Sequence, residues 1–253
     1  MKESLDIVLV LDLSSSMQEP LDRRATRAKD RRWVPQNEKT RLDAVKEAIT
    51  GFVQRQKSDR IGLVVFSENA YVVSPMTLDT AYLIRYIQMV DKKTLAGEGL
   101  TAIGEGILAA VNLHAHQTHE SAGSNDMRRS KDKLIVILTD GENNTGRDVY
   151  MAIRKAREAG FKIDFIGVEI KWAPEAPRLI AAVKSTGGDY YDVRDAEQLQ
   201  KAYRDISLLQ KGTWVAKQQV AHIPRFYPFA LASFVLLVIS ITLKSIPYFI
   251  EIS

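Results

Sequence analysis

Near the start of the chain, the apolar residues Ile7-Val-Leu-Val-Leu11 run directly into Asp12-Leu-Ser-Ser-Ser16. Five consecutive apolar residues without alternation are typical of a strand that is buried on both faces of a parallel sheet. The polar residues that follow predict a loop at the carboxyl end of this strand. A second stretch, Leu134-Ile-Val-Ile-Leu138, has the same character and runs into Thr139-Asp-Gly141.

Further strands and helices are predicted around these two stretches. Apolar runs predict buried strands over Ile61–Phe66 and Phe161–Val168, and short strands are expected over Tyr71–Val73 and Tyr190–Val193. Apolar residues at helical spacing predict helices that contain Leu42 to Val53, Ile103 to Val111, Val149 to Ala156 and Leu199 to Ile206, with further helices over 79–91 and 175–185. Thr40 and Asp43 form a weak capping box before the first helix. Alternating strands and helices predict an α/β fold, with a doubly wound, mostly parallel sheet flanked by helices.

Composition limits the chemistry that is available to the chain. It has 253 residues, enough for one α/β domain of about 200 residues and an appendage. It contains no cysteine, which excludes disulfides, thiolate metal ligands and cysteine nucleophiles. Any bound metal must therefore use oxygen or imidazole ligands.

Polar side chains follow both central strands. In open parallel sheets, ligands bind beyond the carboxyl ends of the strands where the strand order reverses, so Asp12 and Asp140 are expected to share one site. Ser14 and Ser16 alternate with Asp12, and one tight loop can direct all three oxygens to a common point. Such hard oxygen ligands suit Mg²⁺ or Mn²⁺. Thr101 would add a hydroxyl from the start of a helix.

Two glycines lie in the helix that follows Thr101. Gly104 and Gly106 each cost roughly 1 kcal/mol relative to alanine in a helix interior. Their presence there predicts close packing of the helix backbone against a neighbouring element.

Three separate motifs resemble the von Willebrand factor A (vWA) family. Asp12-Leu13-Ser14-Ser15-Ser16 resembles its D-x-S-x-S signature, although many members have glycine where Ser15 stands. Thr101, within Gly99-Leu-Thr-Ala-Ile-Gly104, lies where the family places its threonine ligand. Asp140, within Leu138-Thr-Asp-Gly141, lies where the family places its second aspartate. The resemblance covers roughly residues 5–209. Within the family, the sequence is most similar to bacterial Bat-type (aerotolerance-related) proteins.

This resemblance implies a metal-ion-dependent adhesion site (MIDAS). The implied ligands of Mg²⁺ or Mn²⁺ are five side chains: Asp12, Ser14, Ser16, Thr101 and Asp140. The metal would keep one coordination position open, and an Asp or Glu of a protein partner would fill it. Bat-type proteins are associated with MoxR-type AAA+ ATPases, so the resemblance implies such an ATPase or another membrane protein as the partner.

The C-terminal region predicts a membrane anchor. Residues 226–243 form an uncharged run of 18 residues, and roughly 20 apolar residues cross a bilayer of about 30 Å. We therefore expect a vWA-like domain over 1–209, a linker over 210–225 and a transmembrane helix over 226–250. The start of the chain does not resemble a signal peptide. Basic residues are more frequent before the span than after it, which predicts a single-pass protein of the bacterial cytoplasmic membrane with its domain in the cytoplasm.

Enzymatic motifs are not evident. The sequence has no G-x-S-x-G elbow and no G-x-x-x-x-G-K-[ST] phosphate loop, so we expect an interaction module and not an enzyme. A metal-dependent phosphatase or hydrolase on a similar sheet is the alternative. A scaffold whose site binds no metal, and whose membrane helix carries the interaction, is a third hypothesis.

Two insertions and three histidines are assigned to the surface. The basic insertion 18–39 is interpreted as a solvated loop that could steer an acidic partner, and 118–132 as a polar loop. The net charge of +4 is mild and Trp33 is isolated, so no nucleic-acid binding is expected. His114, His116 and His119 are interpreted as a frayed, exposed helix end and not as a second metal site.

Overall fold

The computed structural model describes most of the chain. The described residues are 5–20, 39–56, 58–91, 94, 99–121, 132–141, 143–168, 176–218 and 227–245. The chain divides into two units, Met1–Leu209 and Gln210–Ser253.

The first unit is built on a six-stranded sheet with the order β3-β2-β1-β4-β5-β6. Its strands are β1 (Asp6–Asp12), β2 (Arg60–Phe66), β3 (Ala70–Thr77), β4 (Lys133–Thr139), β5 (Phe161–Val168) and β6 (Tyr190–Val193). All neighbouring strands are parallel except β3, which is antiparallel to β2. β1 and β4 are neighbours, and the strand order reverses there. The carboxyl ends of β1 and β4 therefore define the crevice in which a ligand is expected.

Seven α-helices occur in the described residues. They are α1 (Arg41–Arg55), α2 (Thr80–Met89), α3 (Ile103–Ser121), α4 (Val149–Glu158), α5 (Ala176–Lys184), α6 (Ala196–Gln218) and α7 (Tyr227–Ser245). The capping box before α1 is confirmed, because Asp43 N donates to Thr40 Oγ1 at 3.1 Å and Thr40 N donates to Asp43 Oδ2 at 3.2 Å. The predicted α/β fold with a mostly parallel sheet is likewise confirmed.

Strand β1, at the centre of the sheet, is buried on both faces. Val8 and Val10 of β1 pack in a core with Ile103 and Ile107 of α3. Ile7, Leu9 and Leu11 point to the opposite face and are also buried. The unbroken apolar sequence of β1 therefore agrees with the burial of this strand on both faces. Gly106 confirms the predicted close packing, because a Cβ there would lie 2.9 Å from Val10 Cγ1.

One prediction about the histidines is wrong. His114 is not on a frayed, exposed end: it is 7% exposed, and its Nε2 lies 2.9 Å from Asp6 Oδ2. Asp6 also accepts two hydrogen bonds from Arg60, at 2.8 and 2.6 Å. His114 follows Ile103, Ile107 and Ala110 at steps of four, three and four residues, so it lies on the buried stripe of α3. His116 is exposed as expected.

The structure describes parts of the predicted loops and of the predicted linker. Helix α3 continues to Ser121, so the start of the predicted loop 118–132 is helical, and 122–131 lie outside the described residues. Helix α6 continues to Gln218, so the first part of the predicted linker 210–225 is helical as well. The basic insertion 18–39 lies outside the described residues except at its ends. Those ends are held together, because Pro20 and Thr40 form an antiparallel bridge.

The second unit contains helix α7, which occupies most of the predicted membrane span. Across the described ranges, no helix combines enough length with enough apolar character to cross a bilayer. The transmembrane helix predicted over 226–250 is therefore not confirmed. Among the side chains described in α7, Leu231 is 70% exposed and Phe234 is 67% exposed.

Candidate metal centre

The carboxylate of Asp12 is held at the end of β1 by two hydrogen bonds. Thr139 Oγ1 at the end of β4 donates to Asp12 Oδ2 at 2.5 Å, and Ser14 N donates to Asp12 Oδ1 at 2.8 Å. Asp12 is fully buried. Its carboxylate is therefore fixed by the two neighbouring strands that meet where the strand order reverses.

The loop after β1 directs two hydroxyls to the same place. A short 3₁₀ turn, Ser15–Gln18, follows Ser14 and brings Ser14 Oγ within 3.1 Å of Ser16 Oγ. Ser16 Oγ donates to Asp140 Oδ1 at 2.7 Å. Residues that are 124 positions apart in the sequence are thus in direct contact, and the loops after β1 and β4 form one cluster of oxygens.

Thr101 completes this cluster from the third segment. It is 3% exposed, and its N–H donates to Asn144 Oδ1 at 2.8 Å. A Cβ at Gly141 would lie 3.0 Å from Thr101 Oγ1, so this hydroxyl is directly beside the loop after β4. Ala102 N donates to Ser67 O at 2.7 Å, which ties the segment to the end of β2.

Gly104 allows the start of α3 to reach this position. A Cβ on Gly104 would lie 2.2 Å from the carbonyl oxygen of Arg147, closer than any side chain tolerates. Gly104 N also donates to Asn143 Oδ1 at 3.1 Å. Only glycine permits this contact between α3 and residues 143–148. Gly104 destabilises the helix relative to alanine, but it allows the close approach that places Thr101 at the site.

A basic residue that the sequence analysis did not identify also lies in the cluster. Nη1 of Arg41, the first residue of α1, forms an ion pair with Asp140 Oδ2 and lies 3.4 Å from the Ser16 carbonyl oxygen. The side chain of Arg41 is 3% exposed and that of Asp140 is 0% exposed. One sequence signal could have revealed it. A cation in the first turn of a helix opposes the helix dipole, so it is expected to have a specific acidic partner.

Burial affects the ionisation of Asp12. Loss of solvent raises the pKa of the Asp12 carboxyl to about 6, and the nearby charge of Asp140 adds to this rise. The hydrogen bonds from Thr139 and Ser14 act in the opposite direction. The group is ionised at neutral pH, but burial of its charge opposes folding, and a cation beside it would relieve that cost.

The donor set fits a divalent metal that prefers oxygen. Two carboxylates and three hydroxyls of the proposed ligand set lie on three converging segments, and all are hard ligands suited to Mg²⁺ or Mn²⁺. Among the residues that the structure describes, no three His, Asp or Glu side chains form a group that could hold an ion. A metal here would therefore depend on the serine and threonine hydroxyls, and it would keep much of its positive charge.

Sequence comparison identifies the family. The von Willebrand factor type A domain matches residues 6–205. The chain belongs to this family. A relative from Borreliella burgdorferi, an uncharacterized protein, is 30% identical over 223 residues, covering 80% of this chain and 58% of that protein. This vWA chain thus spans less than two thirds of the length of that relative.

Solved structures share the vWA fold. BatB from Bacteroides thetaiotaomicron has a TM-score of 0.60 at 22% identity, covering 82% of this chain and 100% of that one. An aerotolerance-related membrane protein from Bacteroides fragilis has a TM-score of 0.57 at 19% identity, covering 80% and 98%. The predicted resemblance to vWA and Bat-type proteins is confirmed. The mussel byssus proximal thread matrix protein 1, with a zinc-occupied MIDAS motif, has a TM-score of 0.54 at 18% identity, covering 80% and 47%.

Proposed function

We propose that this vWA domain is a protein-interaction module that holds Mg²⁺ or Mn²⁺ and uses the ion to bind an acidic side chain of a partner. The observation that carries the proposal is the contact of Ser16 Oγ with Asp140 Oδ1 at 2.7 Å, beside Asp12 and Thr101. The five proposed ligands are Asp12, Ser14, Ser16, Thr101 and Asp140. When bound, the metal would supply a positive centre with an open coordination position.

The protein's own residues support this role by holding the ligands in place. Asp12 is bonded to Thr139 and Ser14, and Asp140 is bonded to Ser16 and Arg41. Such outer contacts orient ligating carboxylates before a metal arrives. Because the remaining proposed ligands are neutral hydroxyls, one further carboxylate from a partner is the expected complement. The proposal assigns no bond-breaking chemistry to the chain.

The partner is proposed to be a protein that presents Asp or Glu. By its likeness to Bat-type proteins, this partner would be a MoxR-type AAA+ ATPase or a neighbouring membrane protein. The mussel protein shows that a domain of this fold holds a metal at a MIDAS motif. Zinc, magnesium and manganese all accept oxygen ligands, so the donor set suits each of them.

Membrane attachment through residues 226–250 belongs to the same proposal, with 1–209 as the binding domain and 210–225 as the linker. It is supported by the uncharged run 226–243 and by the exposed apolar side chains of α7.

Deletion of 226–253 is expected to release the protein from bacterial membranes during carbonate extraction. If the shortened protein stays in the membrane fraction, this attachment is wrong. Protease protection in spheroplasts would show which side of the membrane carries the domain.

Partner capture in the presence and absence of a chelator tests the central proposal. The immobilised full chain, loaded with Mg²⁺, is expected to retain a partner that EDTA releases and that added Mg²⁺ restores. Capture that is identical in EDTA would contradict the metal bridge. Turnover of p-nitrophenyl phosphate by the wild type, lost in Asp12→Ala, would instead favour a metal-dependent phosphatase.

A further inference from the structure

Arg41 lies in the site but is not one of the five proposed metal ligands. Its guanidinium is buried, and Nη1 pairs with Asp140 Oδ2 while Asp140 Oδ1 accepts from Ser16 Oγ. Both oxygens of Asp140 thus have protein partners. Glu19 Oε2 lies 3.8 Å from Arg41 Nη2, but its side chain is 51% exposed, so solvent screens that contact. Of these two carboxylate contacts of Arg41, the one with Asp140 is therefore the buried ion pair.

The position of Arg41 carries two energetic costs. It is the first residue of α1, where the helix dipole disfavours a cation. Its burial removes a charged group from water, which costs free energy that the ion pair with Asp140 must offset. These two costs indicate that Arg41 has a role at the site beyond covering a hydrophobic surface.

The formal charges show what that role is. Asp12 and Asp140 carry two negative charges, and Arg41 carries one positive charge within the same cluster. A divalent ion held there leaves the cluster with one net positive charge, which one carboxylate neutralises. Without Arg41, the same ion would make the cluster neutral. An additional carboxylate would then not be attracted by a net positive charge.

We infer that Arg41 sets the charge balance of the proposed metal site, so that the site holds a divalent ion less tightly but binds an acidic ligand more tightly. This inference rests on the proposed function. Arg41 is a positioning residue, because its effect on a metal would be exerted through its ion pair with Asp140. Loss of the Arg41 charge is therefore expected to change the affinity for the metal and the affinity for the acidic ligand in opposite directions. A loss of structure would weaken both.

The test measures both affinities on the full chain in detergent. Mn²⁺ is the metal probe, followed by electron paramagnetic resonance of the free ion. Sodium acetate is the carboxylate probe, followed by its effect on water-proton relaxation by bound Mn²⁺, with acetamide as the neutral control. Arg41→Gln is expected to bind Mn²⁺ about tenfold more tightly and acetate about tenfold more weakly, the size expected for one partly screened charge. Arg41→Lys, which keeps the charge, is expected to stay near the wild type in both.

The outcomes separate this inference from the proposed function. A wild type that binds no Mn²⁺ overturns both. A wild type that binds Mn²⁺ and acetate, with an Arg41→Gln variant that weakens both or changes neither, overturns only the role of Arg41. The same holds if Arg41→Lys behaves like Arg41→Gln. If Arg41→Gln is unfolded in chelator, the inference predicts that Mn²⁺ refolds it, because the ion replaces the missing charge beside Asp140. A variant that stays unfolded in millimolar Mn²⁺ contradicts the inference.

Discussion

Asp12→Ala is expected to abolish divalent-ion binding while the domain remains folded. The substitution removes one of the two carboxylates of the site. The ligands that remain are neutral hydroxyls and Asp140, whose charge is already paired with Arg41, and this set holds a divalent ion poorly. Burial raises the pKa of Asp12 to about 6, so its charge opposes folding at neutral pH. The substitution also leaves the Thr139 hydroxyl and the Ser14 N–H without their acceptor, so a net loss of about 1–3 kcal/mol is expected in chelator. Thermal unfolding with and without Mn²⁺ measures both effects. At about 100-fold excess over Kd, the ion should stabilise the wild type by roughly 2.7 kcal/mol and the variant not at all.

Asp79→Ala is the matched control for this prediction. Asp79 caps α2 and follows β3, which is antiparallel, so it lies at the opposite edge of the sheet. Loss of this cap is expected to lower the free energy of unfolding by about 1 kcal/mol and to leave the stabilisation by Mn²⁺ unchanged. An Asp12→Ala variant that Mn²⁺ stabilises as much as the wild type would show that the ion binds elsewhere.

Gly104→Ala is expected to give the largest loss of stability near the site. Its new Cβ would lie 2.2 Å from the Arg147 carbonyl oxygen, and backbone cannot move aside as a flexible side chain can. Separation of α3 from residues 143–148 would also weaken the hydrogen bonds to Asn143 and Asn144 that position Thr101. Urea unfolding should show a loss of about 2–3 kcal/mol, the upper range for overpacking, and Mn²⁺ affinity should fall as well.

Gly99→Ala is the control for this substitution, because a Cβ on Gly99 would meet no atom of the described residues within 4 Å. Its effect on the free energy of unfolding is expected to lie within about 0.5 kcal/mol, as for other surface changes. Equal stability of Gly104→Ala and the wild type would mean that α3 tolerates a larger separation from residues 143–148 than the structure indicates.

The central strands and their loops could be predicted from sequence because each is specified locally. An unbroken apolar run identifies a strand covered on both faces, and the polar residues after it identify the carboxyl end where ligands bind. β1 and β4 were located within one residue at each end for this reason. β3 was predicted only over Tyr71–Val73 and extends over Ala70–Thr77, because an exposed edge strand lacks the continuous apolar pattern.

Contacts between distant segments were less predictable. Arg41 meets Asp140 across 99 positions, and nothing in the local pattern at either residue specifies the other. Only the unfavourable position of the Arg41 cation at the start of α1 could have indicated an acidic partner. His114 was different, since its spacing from Ile107 and Ala110 placed it on the buried face of α3. The spacing of two residues between His114 and His116 excludes a shared helix face, but it does not exclude burial of His114 alone.

Anomalous X-ray diffraction from crystals soaked in Mn²⁺ would locate the ion. One strong peak per chain is expected within bonding distance of oxygens from Asp12, Ser14 and Ser16, beside Thr101 and Asp140. Crystals of Asp12→Ala treated in the same way should lack this peak. A soaked wild-type crystal with no peak between the ends of β1 and β4, or with its only peak elsewhere, would contradict the account.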